Sequence, residues 1–265
     1  MADWSRITSR GDVEDRRAFG PVHIGGLGLG GVALLLLINY LNTGSINVND
    51  VLQQMAGAGT ETATTSYAGN DSYEEFASTV LGSTDDTWTR IFAQENKTYT
   101  KPKLVLFRGA TDSACGGADA SVGPHYCPLD GTIYLDETFF DELQKLGGSG
   151  DVAQAYVIAH EVGHNVQDQL GILDTENTNQ DSVRVELQAD CFAGVWANSI
   201  KGEGVLEPGE IKEAMDAAAA VGDDRIQSRY EGRVNPETWT HGSSAERLHA
   251  FTSGYNGGTM ASCDT

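Results

Sequence analysis

The stretch AYVIAHEVGHNVQ, residues 155–167, sets the strongest limit on what this chain can become. Ala155, Tyr156, Val157, Ile158, Ala159, Val162 and Val166 read as a core-facing helix. His160, Glu161 and His164 stand in the middle of it. Such groups are costly to bury unless they are partnered or bind a metal, so the fold must bring further polar groups to this one helix. Positions i and i+4 share a helix face, so the imidazoles of His160 and His164 can reach a single ion. Glu161, beside the first histidine, is poorly placed as a ligand to that ion. It is well placed to take a proton from water, the general-base position of a zinc hydrolase.

Catalytic zinc takes three protein ligands and keeps one position open. The segment SVRVELQADCFAGVWA, residues 182–197, reads as a second, largely buried helix through Val185, Leu187, Ala189, Cys191 and Phe192. It carries Glu186 and Asp190 one turn apart. The loop GILDTENTNQD between the two helices allows an antiparallel return, which makes Glu186 the expected third ligand, with one zinc per chain. Asp190 is expected to accept the far ring N–H of a ligand histidine and so fix its orientation.

Other features bear on surroundings rather than chemistry. Residues 22–41, VHIGGLGLGGVALLLLINYL, contain no Asp, Glu, Lys or Arg and are long enough to span a bilayer. Arg6, Arg10, Arg16 and Arg17 precede this stretch, and the next basic residue is Arg90. The basic flank predicts a single-pass cell-membrane protein with a cytoplasmic N-terminus and an extracytoplasmic catalytic domain. Gly26 and Gly30 space a G-x-x-x-G through which two anchors could associate weakly. The predicted order is a cytoplasmic tail (1–20), a transmembrane anchor (21–41), a flexible tether (42–70) and a zinc-hydrolase domain (71–265). A net charge of −21 disfavours nucleic-acid phosphates as partners. Cys115, Cys127, Cys191 and Cys263 are even in number and suit an oxidising compartment, with three connectivities open. Cys115–Cys127 would close a short loop; Cys191–Cys263 would staple the C-terminus to the helix of Glu186.

Within the domain, SYEEFASTVL, DDTWTRIFAQEN and DETFFDELQKL have helical periodicity, while KLVLF (103–107) and TIYL (132–135) read as strands. Asp151 with Gln154 reads as a capping box opening the first zinc helix. The second runs from about Ser182 to Lys201, and a third opens at Pro208. The fold class is therefore α+β, mostly helical with a small sheet, and TIYL is the expected edge strand for an extended substrate.

H-E-x-x-H followed by E-x-x-x-D resembles the gluzincin metallopeptidases. More closely, the chain resembles the putative neutral zinc metallopeptidase family (YpfJ-like), through VEDRR, KLVLF, SACG, VGPHYCPLDGTIYLDETFFDEL, GDVAQAYVIAHEVGHNVQ, SVRVELQADCFAGVWA, AVGDDRIQ, THGSSAER and the final CDT. Asn165 departs from the family, which usually carries a further histidine there. The resemblance implies a zincin-like fold and zinc-dependent hydrolysis of peptides or proteins. By similarity to other membrane-associated gluzincins, His241 and Arg247 of THGSSAER are expected near the metal cleft. His241 would donate to the oxyanion, a role for which Tyr230 and Tyr255 are alternatives. Two other functions fit the same residues: a non-catalytic zinc module binding a peptide, cell-wall component or partner, and a hydrolase of a non-peptide amide.

Overall fold

KLVLF is apolar at every position after Lys103, a pattern that asks for burial on both faces of a sheet. The computed structural model describes residues 1–17, 71–119, 122–173, 178–207 and 209–263, and it answers that demand. Strand β2 (Lys103–Phe107) lies between β1 (Val13–Asp15) and β6 (Thr132–Asp136), parallel to both, and β5 (His125–Cys127) pairs antiparallel with β6 at the sheet's end. Leu104, Leu106, Ile133 and Leu135 face the helical core. Val105, Phe107 and Tyr134 form a second cluster with Cys127 and Ala118, beneath the hairpin β3 (Ala110–Ser113) and β4 (Gly116–Asp119).

Seven helices complete the described domain: α1 (Ser72–Gln94), α2 (Phe139–Leu146), α3 (Asp151–Gln169), α4 (Asn179–Ser199), α5 (Ile211–Ala220), α6 (Asp223–Tyr230) and α7 (Ser244–Gly257). The two periodic stretches at 72–94 are one helix, started by Asp71, whose carboxylate accepts the N–H groups of Tyr73 and Glu74. Helix α3 packs against α1, α4 and α5, and α4 lies along α7. Disulfides join Cys115 to Cys127 and Cys191 to Cys263, so the second ties the chain's end to α4.

Three expectations need correction. The capping box at Asp151 does not form: Gly150 is the N-cap, with no side-chain cap. The Asp151 carboxylate is drawn away by the N-terminal segment, accepting Ala2 N–H at 2.9 Å and Trp4 Nε1–H at 2.8 Å. Second, TIYL is not an edge strand. It lies inside β6, flanked by β2 and β5, and β5 is the terminal strand beside the helices.

The third correction concerns the membrane topology. Residues 1–17 are not a tail apart from the domain. They belong to the same compact unit, with Val13 paired to Leu104 and Gly11 N–H donating to Ser78 O at 2.8 Å. Arg17 is buried, and its guanidinium meets Asp15, Glu137 at 2.6 Å and Asp71 at 2.7 Å. A single crossing between residues 17 and 71 would put these partners on opposite sides of a bilayer, which the shared sheet forbids. Among the described residues no helix is long and apolar enough to cross a membrane. The expected anchor (21–41), its Gly26–Gly30 spacing and the tether (42–70) lie outside the described residues, as does Pro208.

Candidate metal centre

The site is built where α3 and α4 touch. Gly163, inside H-E-V-G-H, faces Ala189 of α4 so closely that a Cβ there would lie 3.0 Å from the Ala189 carbonyl oxygen. The missing side chain lets the two helices approach, which carries Glu186 to the histidines. A second close approach brings in α7: a Cβ on Gly194 would sit 2.1 Å from the Phe251 carbonyl oxygen. That contact sets Arg247 beside Asp190.

His160 Nε2 lies 3.1 Å from Glu186 Oε2, and His164 Nε2 lies 3.4 Å from Glu186 Oε1. One potential ligand atom from each of His160, His164 and Glu186 falls within 4.8 Å of the others, the convergence a single ion needs. Each histidine is held from behind. Asp190 Oδ1 is 2.9 Å from His160 Nδ1, and Gln167 Oε1 is 2.9 Å from His164 Nδ1. Gln167 is itself pinned, donating to the Val185 carbonyl at 2.7 Å. Asp190, fully buried, also accepts Arg247 Nε–H at 2.7 Å, Arg247 Nη2–H at 3.0 Å and the Tyr156 hydroxyl.

Charge says what the cage wants. Burial alone would lower the histidines' pKa values, but Asp190 and Glu186 override it, and His160 is raised to about 10. His164 is raised too, against burial, by Glu186. Burial would raise Glu186, yet His164 and His160 hold it well below the carboxylate range. Glu186 and Asp190 face one permanent cation, Arg247, whose Nη2 is 3.7 Å from Glu186 Oε2, and Glu161 adds a third carboxylate to the cavity lining. A dication would balance that set with neutral imidazoles, and its binding would displace the histidine protons. Glu161 Oε2 is buried and has no hydrogen-bond partner among the described residues. Two nitrogens and a carboxylate oxygen, with an unpartnered carboxylate beside them, fit a catalytic zinc.

The centre opens into a cavity of about 630 Å³, lined on its polar side by His125, Glu161, His164, Glu186, His241 and Arg247. His241 is thus at the cleft, its side chain 49% exposed. Its Nδ1 lies 3.3 Å from Asp223 Oδ1, while Asp223 Oδ2 accepts the N–H groups of Thr240, His241 and Gly242 at 2.9, 2.7 and 3.0 Å. The same Nδ1 lies 3.0 Å from Thr240 Oγ1, so the ring is steadied from two sides. Tyr230 and Tyr255 are elsewhere: Tyr230 donates to Glu142 at the surface, and Tyr255 stacks on Phe251 under Lys201.

Sequence reasoning brought His160, Glu161, His164, Glu186, Asp190, Arg247 and His241 to one place, and it missed Tyr156, Gln167 and Asp223. Tyr156 and Gln167 had a signal, since they lie one turn before His160 and one turn after His164. Asp223 had only its place in AVGDDRIQ.

A family model described as "Putative neutral zinc metallopeptidase" matches residues 2–265. The uncharacterized protein YpfJ of Escherichia coli (strain K12) is 44% identical over 99% of this chain and 98% of its own length. The uncharacterized protein Rv2575 of Mycobacterium tuberculosis (strain ATCC 25618 / H37Rv) is 49% identical over 63% of each chain. No solved structure matches significantly.

Proposed function

The chain belongs to the putative neutral zinc metallopeptidase family, and from that premise we propose that it hydrolyses peptide bonds with one zinc held by His160, His164 and Glu186. The observation that carries this reading is the unpartnered, buried Oε2 of Glu161 beside the three convergent donors. Glu74 and Asp85 also bury an oxygen without a partner among the described residues, but only Glu161 does so in the cleft beside three convergent donors, where it is free to work on water and substrate.

Zinc bound there would supply Lewis-acid polarisation of the scissile carbonyl and would acidify water. Glu161 takes one proton as the water oxygen adds to the carbonyl carbon. It returns that proton to the amide nitrogen as the C–N bond breaks, so the products are a carboxylic acid and an amine. His241, steadied by Asp223 and Thr240, donates a ring N–H to the developing oxyanion. Asp190 and Gln167 hold the two ligand imidazoles in orientation, and Arg247 with Tyr156 holds Asp190. An extended peptide would lie along β5, the terminal strand, whose His125 and Tyr126 line the cleft.

The test is Glu161→Gln, compared with wild type after both are loaded with zinc. The fold and zinc content should be kept, while peptide hydrolysis falls roughly 10²–10⁴-fold, the contribution of a positioned acid/base. Equal rates would overturn the mechanism.

A further inference from the structure

Helix α6, DDRIQSRY, is polar at every position except Ile226 and the exposed terminal Tyr230. Its place in the fold is set by its polar groups. Asp223 is held by three backbone N–H groups, and Asp224 accepts the Ser244 N–H at 2.7 Å. Gln227 donates to Thr238 at 2.9 Å and accepts the Asn235 N–H at 2.8 Å. Ile226 is half-buried, yet among the described residues it is not one of the side chains packed against the core. It lines the cleft instead, with Phe139, Val157 and Val221. An apolar side chain that the core does not use, aimed into a reaction cleft, calls for an apolar ligand group.

The surrounding charges point the same way. Arg247 is the cleft's only arginine among its described lining residues, and its donors are already taken, by Asp190 and by the Val221 carbonyl at 3.2 Å. The lining carboxylates are Glu161 and Glu186. A substrate carboxylate would find no unpaired Arg or Lys among the described lining residues, and a charged side chain of either sign would be desolvated against the apolar walls. We propose that Ile226 is a specificity-determining residue. With Phe139, Val157 and Val221 it selects an apolar side chain flanking the scissile bond, so the substrates are extended, apolar and non-acidic peptides. This rests on the peptidase reading and names its substrate class.

The test has two arms, both with the full-length chain loaded with zinc. In the first, wild type and Ile226→Lys digest one mixture of peptides, and the residues flanking each cut are tallied. Wild type should prefer Leu, Ile or Phe over Ala at one flanking position by at least roughly tenfold, the scale of apolar-pocket discrimination. Ile226→Lys should lose that preference and gain cuts beside Asp or Glu. Unbiased cutting by wild type, or an unchanged preference in Ile226→Lys, overturns the proposal and leaves the peptidase reading standing. In the second arm, Glu161→Gln alone and Glu161→Gln with Ile226→Lys are titrated with blocked peptides carrying Leu, Ala or Asp at one position. Tighter binding of the Leu peptide, lost in the double variant, supports the pocket. If wild type cuts nothing but this binding pattern holds, the peptidase reading fails and the apolar pocket survives. If no peptide shows the pattern, the pocket is wrong. Unchanged zinc content and melting temperature in Ile226→Lys exclude misfolding as the cause.

Discussion

Two histidine–aspartate pairs flank the same cleft, and they are built by different rules. In His160–Asp190 both partners are buried, and the carboxylate is also gripped by Arg247 and Tyr156 from two other elements. In His241–Asp223 the imidazole is half in solvent, and the carboxylate is steadied by the amides of residues 240–242. The first pair is immobilised by side chains from α3, α4 and α7, which suits a ligand that must hold its place. The second rests on the backbone of residues 240–242 and keeps its ring open to water and substrate, which suits a group that donates a hydrogen bond to a reacting atom. On the proposed mechanism one residue pairing serves two tasks, and burial separates them.

The largest expected difference between the pairs is structural. Asp190→Ala leaves Arg247 buried without its carboxylate, so stability should fall by about 3–5 kcal/mol. Zinc affinity should weaken by roughly 10–100-fold as His160 loses its support. Chemical denaturation and chelator competition read the two effects, and a variant as stable as wild type would erase the contrast. His241→Ala should act only on the reaction. Its rate loss is expected at roughly 10²–10³-fold, as for a lost oxyanion donor. Zinc content should not change, and released zinc would place His241 with the structural pair.

Asp223→Asn should be the mildest and is best read against pH. Burial opposes the charge on Asp223, but the hydrogen bonds from His241 and the backbone hold its carboxyl below the ordinary range. A depressed folded pKa contributes stability above the unfolded value of about 4, and that stability is lost as pH falls through the folded value. The deficit of Asp223→Asn, about 0.5–1.5 kcal/mol at pH 7, should therefore shrink as pH falls below about 4. A deficit independent of pH would show that the charge on Asp223 contributes nothing.

The buried pair was also the more legible in sequence. His160, His164, Glu186 and Asp190 sit at one-turn spacings on two apolar helices, so helix periodicity alone aligns them. Asp223 gains its meaning from the amides of residues 240–242, a non-local contact that no spacing encodes. The same limit explains the N-terminal segment. Counting Arg6, Arg10, Arg16 and Arg17 suggested a cytoplasmic flank, but the count is blind to the carboxylates of Asp15, Asp71 and Glu137 that enclose Arg17. The three-residue β5 is too short to carry a pattern, so only the longer TIYL stands out as a strand in the sequence. Gly163 was visible, yet its purpose depends on Ala189 across the helix interface.

The most direct test of the central claim is the zinc content of the purified full-length chain beside that of Glu186→Ala. The wild-type chain should hold about one zinc, as three convergent ligands and an open position imply. Glu186→Ala should be stripped by a chelator concentration that leaves wild type loaded. If wild type binds no zinc, or if Glu186→Ala keeps it as tightly, the centre assigned to His160, His164 and Glu186 is wrong.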